Sequence, residues 1–157
     1  MGWLKVLVVY DTFSPLRVTE KVAELICGVF KEKAFEVECQ FVGDVVAANV
    51  KGYDCVVVGA PTMYFRASPR IKQFLDGLPK GEFSGKLATA FGTQMKTRFS
   101  GSAAKGIEGK LRDLRFKLVS ERLETHVGGQ MNEMQPMEGE MEKTRSWAQS
   151  LAETLSK

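Results

Sequence analysis

Apolar and polar residues alternate along this chain in blocks, with short apolar runs followed by longer amphipathic ones. "LKVLVVY" (Leu4–Tyr10) is rich in valine and leucine at consecutive positions, which predicts a strand covered on both faces. From Val18 onward, Val22, Leu25, Ile26, Val29 and Phe30 recur at helical spacing. "FEVECQFV" (Phe35–Val42) alternates instead, as an edge strand with one exposed face would. "YDCVVVGAPT" (Tyr53–Thr62) is again a continuous core strand, stopped by Gly59 and Pro61. In "SPRIKQFLDGL" (Ser68–Leu78), Ser68 is placed to cap a helix that starts at Pro69. Its inner stripe is Ile71, Phe74, Leu75 and Leu78. "KLATAFGT" (Lys86–Thr93) predicts a fourth strand, and Ala103, Ala104, Ile107, Leu111 and Leu114 a helix after it, in spite of Gly106 and Gly109. "FKLVSERLE" (Phe116–Glu124) is expected as a fifth strand, its core half in Phe116–Val119. A long loop rich in Gly and Met (His126–Glu142) comes next, then a closing helix with Trp147, Leu151 and Leu155 on one face.

Strands alternating with helices in this way predict an α/β fold with a mostly parallel sheet. No internal repeat or linker interrupts the 157 residues, so residues 1–157 are expected to form a single domain. In doubly wound sheets a ligand sits outside the carboxyl ends of the strands, where the winding reverses. Three loops occupy those ends: Asp11–Thr19, Ala60–Ser68 and Thr93–Gly101.

Composition narrows the class. Hydrophobic residues are 44% and charged residues 26%, a globular balance. No apolar run approaches the ~20 residues of a membrane span, and "MGWLKVLVVY" reads as a first core strand rather than a leader. Cys27, Cys39 and Cys55 lie in apolar segments without metal-like spacing, which favours small core residues in a reducing cytoplasm. A net charge of +3 without an aromatic-and-basic module argues against nucleic acid as a partner.

Each of the three loops has two readings. At the first, Thr12, Ser14 and Thr19 bring hydroxyls, and Arg17 a fixed charge, to the front of a helix, where an anion is stabilised by free N–H groups and the helix dipole. The same Ser14 also serves as a plain cap ahead of Pro15. At the second, Met63, Tyr64 and Phe65 come after the strand end, either to stack on a flat aromatic ligand or to pack beneath the loop. At the third, Gly92 and Thr93 let backbone amides approach a ligand, while Lys96 and Arg98 either face a ring that becomes anionic on reduction or are solvated.

Taken together, "VLVVYDT…TEKVAE", "GYDCVVVGAPTMY…SPRIKQFLDGL" and "KLATAFGT…GSAAKGIEGKLRDLRFKLV" resemble the flavodoxin-like flavoproteins over nearly the whole chain. The resemblance implies a doubly wound sandwich with a five-stranded parallel sheet in the order 2-1-3-4-5, and FMN as a non-covalent cofactor. It implies that Thr12, Ser14 and Thr19 hold the flavin phosphate, with Arg17 and Val18 in the same loop. Pro61, Thr62, Met63 and Tyr64 would run along one side of the isoalloxazine, and Thr93 and Gln94 along the other. One departure stands out: the family's Thr-Gly-Asn-Thr is here "SPLRVT", where Pro15 removes a backbone donor.

The implied role is electron transfer to a redox partner protein, or reduction of a small acceptor such as a quinone in an NAD(P)H- or quinone-linked reaction. The alternative is a flavin-free binding or regulatory module on the same fold. Carrier flavodoxins as a family are strongly acidic, so a +3 chain points to a small acceptor or to an acidic partner. No proton-transferring triad is expected: His126 is the sole histidine, read as a loop residue, and Glu20, Asp76, Glu108 and Asp113 are read as solvated. A phosphoacceptor receiver domain shares the sheet order but needs an aspartate where Gly59–Thr62 end the third strand. Met131, Met134, Met137 and Met141 suggest flexible packing, and a homo-oligomeric contact is an expectation there.

Overall fold

The computed structural model describes residues 4–12, 17–63, 65–96, 101–129 and 134–157. Its strands are β1 (Lys5–Tyr10), β2 (Glu36–Phe41), β3 (Cys55–Met63), β4 (Arg66–Ala67), β5 (Leu87–Met95), β6 (Lys117–Leu118), β7 (Leu123–Gly128) and β8 (Gln135–Pro136). The helices are α1 (Val18–Glu32), α2 (Pro69–Asp76), α3 (Ala103–Asp113) and α4 (Glu140–Leu155). The long strands run β2-β1-β3-β5-β7, all parallel, so the winding reverses between β1 and β3. This is the expected 2-1-3-4-5 order, extended by β8 antiparallel to β7 and by the short β4 antiparallel to the end of β3.

The two-residue period of a strand sends alternate side chains to opposite faces. On one face Val6, Val8, Val57 and Phe91 meet α1 and α4 through Ile26, Phe30 and Leu151. On the other, Leu7, Val9, Val56, Val58 and Ala90 meet α2 and α3 through Ile71, Leu75, Ile107 and Leu111. Each valine, leucine, isoleucine or phenylalanine among them stabilises the fold by about 1.5–3 kcal/mol when fully buried. β5 pairs with β3 along most of its length, with Gly59 in register with Phe91. A Cβ at Gly59 would run into the Phe91 ring, so glycine there makes room for an aromatic in the centre of the sheet. β2 is the expected edge strand, half-exposed along most of its length.

Two expectations need correction. The fifth strand is not continuous over Phe116–Glu124: it breaks into β6 and β7. Three steps along β5, Ala88 to Phe91, are matched by five on the outer strand, Leu118 to Leu123. The polar Ser120–Arg122 stretch bulges out at this point, Ser120 Oγ meeting Thr89 Oγ1 at 2.8 Å and Arg122 pairing with two glutamates. Pairing therefore resumes further along, and His126, expected in a loop, lies inside β7 opposite Gln94. The segment read as one long loop, His126–Glu142, likewise contains β8 and the start of α4.

Candidate functional site

The exits of β1, β3 and β5 converge at the carboxyl edge of the sheet. Asp11 directly follows β1 and is buried at 1% exposure. Its Oδ1 accepts the backbone N–H of Thr12 at 2.8 Å and meets Arg70 Nη2 at 2.9 Å. Arg70 also donates to the Thr12 carbonyl at 3.1 Å, and its guanidinium lies over the Phe41 ring, 5.1 Å from the centroid. One cation from α2 thus neutralises the buried carboxylate and fixes the backbone at the mouth of the first loop. The hydroxyl of Thr12 is buried and has no hydrogen-bond partner.

On the far side of the first loop, α1 begins behind Arg17, whose backbone is left-handed at φ 50°, ψ 44°. The Arg17 side chain does not cap this helix. Its guanidinium turns onto the surface and meets Glu20 Oε2 at 3.4 Å. Glu20 also accepts the Tyr10 hydroxyl at 3.1 Å, and burial followed by that carboxylate pushes the phenol pKa up to about 12. Val18 is half-buried, whereas Thr19 is buried, its Oγ1 2.9 Å from Thr93 Oγ1. That bond joins the first turn of α1 to the end of β5 and brings together two residues read as ligands from opposite loops.

At the end of β3, Pro61 is buried and Thr62 and Met63 are half-buried. The Thr62 hydroxyl accepts the N–H of Ala103 at 3.0 Å, so it supports the start of α3. Ser68 does not cap α2 with its side chain, contrary to expectation; its Oγ is buried and unpartnered. On β5, Gln94 carries a buried, unpartnered Oε1 near the strand end. Ser14, Tyr64, Arg98, Phe99 and Met131 lie outside the described residues. Lys96, just beyond β5, is exposed.

Two other readings change. Glu108 is not solvated: it is buried beneath Arg122, whose Nη1 lies 3.0 Å from its Oε1. His126 Nδ1 lies 3.0 Å from Glu140 Oε1, and the same oxygen takes the His126 backbone N–H at 2.6 Å. Burial would raise the Glu140 pKa, but the His126 N–H and Lys143 outweigh it and hold the carboxyl below its ordinary value. Asp11 and Arg70 escaped the sequence reading. A lone acid closing an apolar strand and a cation in the first turn of a helix, against its dipole, are the signals that mark them. Among the described residues no group of three or more histidine, cysteine or carboxylate side chains could hold a metal ion.

The sequence pattern that defines flavodoxins matches residues 10–155. The chain belongs to the flavodoxin family. Family members bind FMN and transfer electrons. Solved flavodoxin structures share the fold. Oxidised flavodoxin 2 from Bacillus cereus superposes with a TM-score of 0.80 at 24% identity, covering 95% of this chain and 98% of that one. Flavodoxin 1 from the same organism gives 0.79 at 22%, covering 95% and 97%. Rubredoxin oxygen:oxidoreductase from Desulfovibrio gigas gives 0.77 at 20%, but this chain, covered over 97%, spans only 36% of that larger protein. A search of curated protein sequences finds no match. No helix among the described residues is long and apolar enough to cross a membrane.

The residues present fit the flavodoxin cofactor. A phosphate needs donors and no opposing bare charge, and the opening supplies the idle Thr12 hydroxyl beside an Asp11 already neutralised by Arg70. A flavin ring carries amide-type donors and acceptors, for which the idle Gln94 Oε1 is a complement.

Proposed function

We propose that this flavodoxin holds FMN between the exits of β1, β3 and β5 and uses it to pass electrons to or from a redox partner. Thr12, Ser14, Val18 and Thr19 would hold the phosphate end, with Arg17 at its rim. Pro61, Thr62, Met63 and Tyr64 would serve one side of the ring, and Thr93 and Gln94 the other. One observation carries the reading: among the described residues, the buried polar side-chain atoms left without partners are Asp11 Oδ2, Thr12 Oγ1, Ser68 Oγ and Gln94 Oε1, and all sit at this edge. Native proteins rarely leave such atoms idle, because each unmet one costs about 1–3 kcal/mol.

Bound FMN supplies the redox chemistry. The chain's own residues bind and orient it. The Thr12 hydroxyl would donate to the phosphate, while Arg70 would keep the Asp11 charge from repelling it. The Thr19–Thr93 bond ties the first turn of α1 to the end of β5. Because the Arg17 guanidinium rests on Glu20, the missing glycines of the first loop are replaced mainly by hydroxyls, and Arg17 adds a surface charge.

The net charge of +3 favours a small quinone-like or nicotinamide substrate or a protein with an acidic face. The test is a fluorescence titration of FMN into the purified protein. Stoichiometric quenching is expected; protein that leaves FMN fluorescence unchanged overturns the reading in favour of a flavin-free module. Arg17→Ala is expected to change the affinity less than Thr12→Val does.

A further inference from the structure

Phe65 is the most exposed of the large apolar side chains described, at 64%. Its backbone is left-handed at φ 71°, a conformation that is a real outlier for a bulky residue and costs on the order of 1–3 kcal/mol. The β3–β4 pairs Thr62–Ala67 and Met63–Arg66 impose it, together with a bridge from Phe65 to Gly101. Gly101 is itself at φ 73°, and a Cβ there would collide with the Phe65 backbone. The strained Phe65 backbone, held against an unstrained Gly101, turns an aromatic ring outward.

Beside Phe65, a groove of about 570 Å³ runs between β4, α2 and α3, with the buried Leu75 and Ile107 and the exposed Gly106 among its lining residues. Gly106 is within α3, where glycine costs about 1 kcal/mol relative to alanine. A Cβ there would touch nothing in this chain. No contact within the described fold calls for the glycine, and its lack of a side chain leaves that part of the groove open.

The rim is basic. Arg66, Lys72, Lys105 and Lys110 line the groove, and no carboxylate does. Lys72 and Lys110 both reach Asp76, at 3.1 and 2.5 Å, yet their side chains stay 59% and 37% exposed. Four cations against this one carboxylate leave the groove a local positive excess. That excess surrounds an apolar slot next to the loop that would flank the flavin ring.

We propose that this groove docks the acidic face of a protein redox partner, seating one apolar or aromatic side chain against Gly106 beside Phe65. The proposal rests on the flavin reading above and names the partner class for it. Charge complementarity selects the partner, and the apolar lining from Leu75 and Ile107 selects a protein: a phosphate backbone would leave the slot unfilled. A single exposed ring with no long amphipathic helix beside it is a poor membrane anchor.

The test uses the FMN-loaded protein, a reduced plant-type [2Fe–2S] ferredoxin as the acidic probe, and cytochrome c as the basic one. Stopped-flow rates with ferredoxin are expected to fall steeply as salt is added. In Arg66→Glu/Lys105→Glu they should drop about tenfold or more at low salt, while rates with cytochrome c rise. Gly106→Leu should fill the slot, slow the ferredoxin reaction and raise the melting temperature, with FMN affinity unchanged in both variants. Calorimetric binding of ferredoxin to the FMN-free protein keeps the two readings apart. If the protein ignores FMN, the flavin reading falls, while binding lost on charge reversal still supports the groove. A ferredoxin rate or affinity that the charge reversal and Gly106→Leu leave unchanged overturns the docking proposal. So does charge-dependent capture of a DNA duplex or phosphatidylserine vesicles in place of ferredoxin.

Discussion

Midway along β1, β3 and β5 the side chains are apolar or paired; a few residues further on, at the carboxyl ends of the same strands, polar atoms are buried and idle. Val6–Val9, Cys55–Val58 and Ala88–Phe91 illustrate the first condition, where even Thr89 meets Ser120. Asp11, Thr12, Ser68 and Gln94 illustrate the second. The same backbone builds both, so the difference lies in what each region is for. The middle gains stability from its own contacts, whereas the end forgoes some of it until something else supplies them. Natural proteins depart from local consistency chiefly at functional sites, which is the ground for the proposal that this edge holds a ligand.

Substitutions in the two regions should therefore behave in opposite ways. Phe91→Ala opens the space its ring fills over Gly59 and is expected to lower unfolding free energy by about 3–5 kcal/mol, read by urea denaturation. A loss below about 1 kcal/mol would mean that the centre tolerates a cavity which close packing should not. At the strand end, Thr12→Val should leave the FMN-free protein as stable or slightly more so, because no bond is lost. It should weaken FMN binding by about 1.5–3 kcal/mol, the range for a hydrogen bond to a charged group. The paired Thr125, 3.2 Å from Thr144, is the control, since Thr125→Val should lower stability by about 0.5–1.5 kcal/mol without touching affinity. If the two threonines respond alike, the contrast fails.

Arg70→Ala tests the border between the regions. It strands the buried Asp11 carboxylate, and since the guanidinium is half-exposed the expected cost is about 1–3 kcal/mol in thermal or urea unfolding. Asp11→Asn in the same background should recover part of that loss; a double variant no better than Arg70→Ala would break the argument.

The smallest effect lies in acid. Burial opposes ionisation of Glu124 and Glu140, but Ser102 and Arg122 at the first, and the His126 N–H and Lys143 at the second, outweigh it and hold both below the ordinary 4.5. A carboxyl depressed on folding favours the folded state above its unfolded value. That contribution is lost as pH falls from 4.5 through the lowered values. Melting temperature tracked downward from neutral pH should fall below about 4.5, and less steeply in Glu140→Gln than in the natural protein. Parallel curves would show that Glu140 is not coupled to folding.

The core strands were legible because continuous apolar runs such as Val6–Val9 and Cys55–Val58 have one good use, as strands covered on both faces, whereas their order in the sheet came from the resemblance to the family. The fifth strand was not, because its hydrophobic half, Phe116–Val119, precedes the true pairing partner of β5's end. The polar bulge between them looks in sequence like an exposed face. Glu108 was misread for a related reason: helical position alone does not show that Arg122 returns over it from another element. The loops of the site could be located from topology. Asp11, Arg70 and the groove by Phe65 depend on pairings between distant parts of the chain, Asp11 with Arg70 and Phe65 with Gly101, which no local pattern reports.

The interrupted outer strand also bears on how the chain behaves among its own copies. A long flat sheet edge invites a second molecule to add its own strand and begin a fibril. Here the bulge breaks that edge, β8 covers the end of β7, and Glu140 occupies the His126 N–H that would otherwise stand ready to recruit it. At the opposite margin β2 carries Glu36 and Glu38. A sheet blunted on both sides in this way resists association by strand addition, and leaves contact with other proteins to be made by side chains.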